Sequence, residues 1–180
     1  TLDETRNLSD SGQFEDISLQ QGIRQILYPY EEMEVLNPEW EVILKDIIDS
    51  LFEQMSDEEY NILNEEFGTY MVSRAYEYRQ LLEYLVFRYF AKSIYDYDFL
   101  GKCQMLVTNF FVIRQMDIIR WLDNHREYSF KDRMDVVHIF SRQVEYSEDN
   151  IENLYEDFIF DDIFKTDSLI AILWIDSENI

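Results

Sequence analysis

Residues 99–122 read FLGKCQMLVTNFFVIRQMDIIRWL, and their apolar side chains are spread around nearly the whole circumference of a helix. These apolar residues are Met105, Leu106, Val107, Phe110, Phe111, Val112, Ile113, Met116, Ile118 and Ile119. A helix that is apolar on every side has to be covered on every side, which is typical of the centre of a helical bundle. We therefore predict a central helix over residues 99–122.

A second apolar helix is predicted directly upstream, over residues 70–95. Its apolar face carries Met71, Ala75, Tyr78, Leu81, Leu82, Leu85, Tyr89 and Phe90. Only four glycines and two prolines occur in 180 residues, which leaves few turn signals for an all-β fold. The sequence predicts an all-α protein, an irregular bundle of about six to eight antiparallel helices packed around these two central ones.

Further helices are predicted from their start signals. Asn37 and Pro38 suit the N-cap and first turn of a helix, and Ser56 with Glu59 matches a capping box. Two later helices are predicted to begin after the serine caps Ser129 and Ser147. The apolar residues of the first are Phe130, Met134, Val137, Phe140 and Val144, and the inward residues of the second are Ile151, Leu154, Tyr155 and Phe158.

The two ends of the chain are less regular. The polar residues 1–13 are predicted to be a flexible lead-in, and residues 14–180 a single α-helical domain. Residues 166–175 are apolar and predict a last short helix or an edge strand. Because the chain starts at Thr1 rather than Met, we expect it to be part of a longer protein.

The net charge of −23 is concentrated in the two ends of the chain. Residues 1–73 carry 18 acidic and 3 basic side chains, whereas residues 143–180 carry 11 acidic and 1 basic. The middle, residues 74–142, has 9 acidic and 11 basic side chains. Such a field repels nucleic acids and anionic membranes, so neither is an expected partner. The acidic ends are either solvated helix faces or a surface that attracts a basic partner.

Few residues are available for metal or nucleophilic chemistry. Cys103 is the single cysteine, which excludes an internal disulfide or a CxxC metal site. Asp135 and His138 have helical i, i+3 spacing, but a di-iron bundle needs such a motif twice. We predict no metal site and identify no catalytic residue. No signal peptide or membrane-spanning stretch is evident, so a cytoplasmic protein is expected.

Three arginines, Arg88, Arg114 and Arg142, lie within strongly apolar helical stretches. A guanidinium is costly to bury without a partner. These arginines are therefore either members of one polar network or anion pocket, or ordinary arginines that reach solvent. Glu145 follows Arg142 by three residues and is a candidate partner, and Tyr84 could line an adjacent groove.

The same stretches resemble the C-terminal region of flagellin lysine-N-methylase-type proteins. Tyr84-Leu85-Val86-Phe87-Arg88 is similar to an aromatic Tyr-x-x-x-Arg helix of that family. Val112-Ile113-Arg114 and the run from Ser141 to Asn150 resemble two later motifs, and Asn37-Pro38-Glu39-Trp40 suits the linker into its helical part. The resemblance covers roughly residues 37–158 and rests on helical patterns of modest specificity.

The resemblance implies that a full-length, bacterial parent protein transfers a methyl group from S-adenosylmethionine to flagellin lysines. It also implies a cysteine-rich iron–sulfur or metal centre near the N-terminus, which one cysteine cannot form. We expect no cofactor in this segment, which would support methyl transfer or dock the protein substrate without being catalytic alone. A non-enzymatic acidic protein-binding module is the alternative. The predicted binding residues are Tyr84, Arg88, Arg114, Arg142 and Glu145.

Overall fold

The computed structural model describes residues 17–178, which form helices joined by short loops. The helices are α1 Leu19–Glu31, α2 Pro38–Ile47, α3 Asp57–Met71, α4 Ala75–Phe90, α5 Ser93–Asp96, α6 Phe99–Asp123, α7 Phe130–Phe140, α8 Glu148–Phe160 and α9 Thr166–Glu178. Wider π-helical turns extend α2 over Ile48–Glu53 and α7 over Ser141–Glu145. No strand occurs between residues 17 and 178, and the all-α prediction is confirmed.

Helix α6 is the centre of the bundle, as predicted. Every residue from 111 to 119 is buried, and α6 contacts α1, α2, α4, α7, α8 and α9. Because neighbours surround it, α6 also buries polar side chains that a one-sided helix would leave in water. These are Lys102, Gln104, Thr108, Asn109, Arg114, Gln115 and Asp117.

The predicted helix over residues 70–95 needs correction. Helix α3 runs through Met71, a 3₁₀ turn spans Val72–Arg74, and α4 occupies only Ala75–Phe90. Helix α4 buries one narrow stripe, Glu77, Leu81, Leu85 and Tyr89, and leaves Val86 and Phe87 exposed. Nothing in the described chain covers the second apolar side of α4. This helix is therefore an outer helix that packs on α6 and not a second central helix.

The predicted helix starts are confirmed. Asn37 accepts from the backbone N–H of Glu39, and Ser147 accepts from that of Asn150. Ser56 and Ser129 each form a capping box, with Glu59 and Asp132 respectively. At the C-terminal end, residues 166–175 lie in α9, so the edge-strand alternative is wrong.

Two further sequence predictions concern the limits of the chain. The predicted lead-in, residues 1–13, lies outside the described residues, and the single domain over 14–180 stays a prediction. Within the described part, no helix is both long enough and apolar enough to span a bilayer.

Candidate functional site

Three of the five predicted site residues come together. Tyr84 and Arg88 lie on α4, and Glu145 is the last residue of the π-helical turn that follows α7. One oxygen of the Glu145 carboxylate, Oε2, accepts hydrogen bonds from the Tyr84 hydroxyl at 2.7 Å and the Ser141 hydroxyl at 2.7 Å. The other, Oε1, accepts from the Tyr89 hydroxyl at 3.2 Å and lies 3.9 Å from Nε of Arg88. A buried carboxylate is thereby neutralised and hydrogen-bonded, as burial of a charge requires.

This hydrogen-bond network continues into the core. The Asn109 amide donates to the Tyr89 hydroxyl at 2.9 Å, and the Tyr30 hydroxyl donates to Asn109 Oδ1 at 2.6 Å. Burial and the hydrogen bond to Glu145 raise the pKa of Tyr84 to about 12. Burial, reinforced by the Glu145 charge, also raises the pKa of Tyr89. Both phenols are therefore donors at neutral pH, and the network joins α1, α4, α6 and the π-helical turn.

The π-helical turn gives structural roles to the polar side chains of the stretch 141–150. It buries three consecutive side chains, Gln143, Val144 and Glu145, which an α-helical stripe does not do. Gln143 Oε1 accepts from the backbone N–H of Leu36 at 2.9 Å, and its amide donates to the Glu34 carbonyl at 2.6 Å. The Asn150 amide donates to the same carbonyl at 3.1 Å. This motif therefore fixes the loop that leads into α2.

The other two predicted arginines lie elsewhere. The buried Arg114 donates to Asn64 Oδ1 at 2.9 Å and lies 3.6 Å from Asp176, so it links α6 to α3 and α9. Arg142 is exposed and lines a cleft between α2 and α7. The three arginines thus have separate surroundings, and the shared network does not form. The role of the five residues in binding a partner stays a prediction.

A second ionic cluster, centred on Arg133 and Asp117, escaped the sequence analysis. Arg133 ion-pairs with Asp117, lies 3.5 Å from Glu77, and stacks 4.2 Å from the centre of the Tyr78 ring. Tyr78 and Tyr128 both donate to Asp117. Burial acts to lower the pKa of Arg133, but the Asp117 charge outweighs it and the pKa is raised. Burial also raises the pKa of the Asp117 carboxyl, which the Arg133 charge and the hydrogen bonds from Tyr128 and Tyr78 oppose. The group is a structural cross-link between α4, α6 and α7.

The apolar residues of α7 explain why this cluster was missed. Phe130 and Met134 are among the apolar residues from which α7 is predicted, yet they are 62% and 52% exposed, and Arg133 is buried beside Val136 instead. The sequence does contain a signal for this arrangement. Arg133, Val136 and Ile139 follow one another at a spacing of three residues, which places all three on one stripe of the helix.

Exposed aromatic and aliphatic side chains form a surface where α4 ends, α5 turns and α6 begins. We call it the aromatic corner: Val86, Phe87, Ile94, Tyr95, Tyr97, Phe99 and Leu100. Phe87, Tyr95 and Tyr97 are 81%, 84% and 90% exposed. Exposed apolar residues in such a run are typical of an interaction surface rather than of a solvated helix face.

The aromatic corner is held in place from below. The rings of Phe90 and Phe99 pack edge to face with centroids 5.1 Å apart, which joins α4 to α6. Nζ of the buried Lys102 lies 2.8 Å from Asp96 and 3.7 Å from Asp98. Asp98 also caps α6 by accepting from the backbone N–H of Gly101, where an added Cβ would collide with that carboxylate. The corner is therefore a fixed feature of the fold.

The described residues give little support to a metal site or to a nucleophilic cysteine. Between residues 17 and 178, no three His, Cys, Asp or Glu side chains are grouped to hold a metal ion. Cys103 is half-buried, and burial raises the pKa of its thiol, the opposite of what a nucleophile needs. An iron–sulfur cluster needs several thiolates, so the residues present do not fit one.

Comparison with known proteins identifies the family. A family model described as the FliB lysine N-methylase C-terminal domain matches residues 2–172, a longer stretch than the motifs quoted from the sequence. Searches of curated proteins and of solved structures found no match. Since the family model spans nearly the whole sequence, the chain belongs to the FliB lysine N-methylase C-terminal domain family.

Proposed function

We propose that this chain docks the protein substrate of a lysine N-methylase and that the aromatic corner is the docking surface. The observation that carries the proposal is the exposure of seven apolar residues on a corner held by Lys102, Asp96 and Asp98. Burying an aromatic ring is favourable, and the exposed rings of the corner lack this stabilisation. A partner that covers them gains the free energy of their burial on binding.

The charge of the chain supports a lysine-bearing partner. The net charge of −23 makes the chain acidic as a whole, although the corner lies in its near-neutral middle, where Glu83 and Asp96 pair with Arg79 and Lys102. Asp96 remains 42% exposed although it pairs with Lys102. An acidic surface accelerates encounter with a basic partner and disfavours acidic ones. The family name, lysine N-methylase, implies a protein substrate that carries lysines. The resemblance described above implies that this substrate is flagellin.

Methyl transfer itself is assigned to the remainder of a full-length methylase. The described residues do not fit an iron–sulfur or metal centre. S-adenosylmethionine and any such centre would then be bound outside this segment, and the whole protein would act in the cytoplasm.

The experiment measures the affinity of flagellin for the chain by isothermal titration calorimetry. Phe87→Ser is compared with Phe160→Ser, a matched control at the end of α8 with 79% exposure against 81%. Phe87→Ser should weaken binding about tenfold, the typical effect of truncating an aromatic hot spot, and Phe160→Ser should not. Raising the salt concentration should weaken binding further, because the acidic surface is screened.

Two results would contradict the proposal. Absence of flagellin binding removes the substrate assignment, and equal loss in both variants removes the assignment to the aromatic corner. Capture of a different, basic protein that depends on Phe87 and needs no methyl donor would instead support the alternative, a non-enzymatic binding module.

A further inference from the structure

Nearly all arginines in the described residues, 17–178, are paired with a carboxylate. Seven of them form ion pairs with Asp or Glu: Arg24, Arg74, Arg79, Arg88, Arg114, Arg126 and Arg133. The guanidinium groups of Arg120 and Arg142 form no ion pair and no hydrogen bond with any residue between 17 and 178. The chain has 38 acidic side chains against 15 basic ones, so an unpaired arginine is unexpected on its surface.

The two unpaired arginines line the same cleft, which has a volume of about 560 Å³. Arg120 comes from the last turn of α6 and Arg142 from the π-helical turn after α7. Residues Pro38, Glu39, Val42 and Ile43 of α2 also line the cleft. Arg120 and Arg142 are distant in sequence but line one cleft, which helix periodicity does not explain. The Arg120 charge acts on the nearby Asp132 carboxylate, but neither guanidinium is held by an ion pair or a hydrogen bond, which suggests a ligand.

The cleft combines these cations with an apolar wall. His138, one helical turn before Arg142, adds an imidazole to the same side. Val42 and Ile43 of α2 and Ile139 of α7 add apolar surface to the lining. The volume lies in the range of small-molecule sites, which are mostly apolar with a few convergent polar groups.

Two carboxylates, Glu39 and Asp135, also line the cleft. Neither forms an ion pair with Arg120 or Arg142 in the described structure. Their charges offset those of the guanidinium groups, so the cleft is not strongly positive as a whole. This balance disfavours polyanions such as nucleic acids and favours a ligand with a single anionic group.

We propose that this cleft binds a small organic oxyanion, a carboxylate or a phosphate monoester, with a short apolar part. A guanidinium presents paired N–H donors that match carboxylate and phosphate oxygens. Arg142 and Arg120 bind the oxyanion, His138 donates a further hydrogen bond, and Val42 and Ile43 cover the apolar part. This site is separate from the aromatic corner, because none of the residues of that corner lines the cleft.

The test is an NMR titration of the 180-residue chain with three probes: acetate, pentanoate and inorganic phosphate. The expected result is saturable shifts of amides around His138 and Arg142, with pentanoate binding several-fold more tightly than acetate because its chain reaches the apolar wall. A carboxylate ligand is indicated if pentanoate saturates the cleft and phosphate does not. A phosphate ligand is indicated if phosphate binds more tightly than both carboxylates.

Matched arginine variants make the result decisive. Arg142→Gln and Arg120→Gln should each weaken binding about tenfold, the typical effect of losing a charge-assisted hydrogen bond. Arg79→Gln is the control, since Arg79 is an exposed arginine of α4 that pairs with Glu83. The inference is overturned if no probe gives saturable shifts, or if Arg79→Gln weakens binding as much as the two cleft variants.

Discussion

The hydroxyl of Tyr84 donates to the Glu145 carboxylate over 2.7 Å and joins α4 to a turn that lies 61 residues later in the chain. Glu145 also accepts from Ser141 and Tyr89, so one carboxylate is the common acceptor for three hydroxyl groups. Two of the stretches that carry the family resemblance, 84–88 and 141–150, are thereby connected in space, through a buried polar network rather than through an open pocket.

Replacing Glu145 by Ala should lower the free energy of unfolding by about 2–4 kcal/mol, because the buried Tyr89 hydroxyl loses its acceptor and Arg88 its partner. Tyr84→Phe should cost only about 0.5–1.5 kcal/mol, since a single hydrogen bond at a half-exposed site is lost. Urea unfolding measures both. Tyr95→Phe, at an 84% exposed position, is the control and should be neutral. A Glu145→Ala value as small as that of the control would show that the network contributes nothing to stability.

The Asp117–Arg133 pair should behave as one unit. Asp117→Leu or Arg133→Met alone leaves an unpaired buried charge and should cost about 3–5 kcal/mol. The double variant should cost clearly less than the sum of the two, because no unpaired charge remains. A double-mutant cycle by urea unfolding measures this difference. Additive costs would mean that the two groups do not interact energetically despite their contact.

Stability should depend on pH through Asp132, the partner of Ser129 in the capping box. Partial burial acts to raise the pKa of Asp132, but hydrogen bonds from Ser129 and Asn124 outweigh it and the net pKa is lowered. The ionised carboxylate therefore stabilises the fold above the pKa of a free aspartate, about 3.9, and this contribution is lost as the pH falls through the lower folded value.

The comparison is between wild type and Asp132→Asn in thermal melts across the acidic range. The wild type should be the more stable at neutral pH, and the difference should narrow below pH ~3.9 and disappear only below the lower folded pKa, where both side chains are uncharged. Ser129→Ala should reduce the pH dependence by removing one donor. A difference that stays constant from neutral to acidic pH would show that the carboxylate charge is not responsible.

Lys102→Met should loosen the aromatic corner without unfolding the protein. Lys102 Nζ binds Asp96 and Asp98 and lies 4.4 Å from the centre of the Tyr155 ring. The two carboxylates are exposed enough to be solvated when freed, so the global cost should stay within about 1 kcal/mol. Hydrogen exchange of amides 93–98 should become faster. Lys92→Met, at an exposed neighbouring position, should leave exchange unchanged, and equal rates in both variants would argue against the bracing role of Lys102.

Local features of the fold could be predicted from the sequence with good success. Caps such as Ser56 with Glu59 depend on residues three positions apart, so the information lies within one turn. The burial of α6 also follows from its own residues, because an apolar circumference is stable only inside a bundle. The all-α class follows from the scarcity of glycine and proline together with this periodicity.

Side-chain partners could not be predicted in the same way, because they depend on how helices far apart in the chain are oriented against one another. Arg88, Arg114 and Arg142 look alike in sequence, yet one binds Glu145, one binds Asn64 and one lines a cleft. Likewise, Phe87 and Leu85 are both apolar residues of α4, but only Leu85 faces α6. Helix periodicity specifies which residues share a face, whereas the packing of neighbouring helices determines whether that face meets a core, a charge or water.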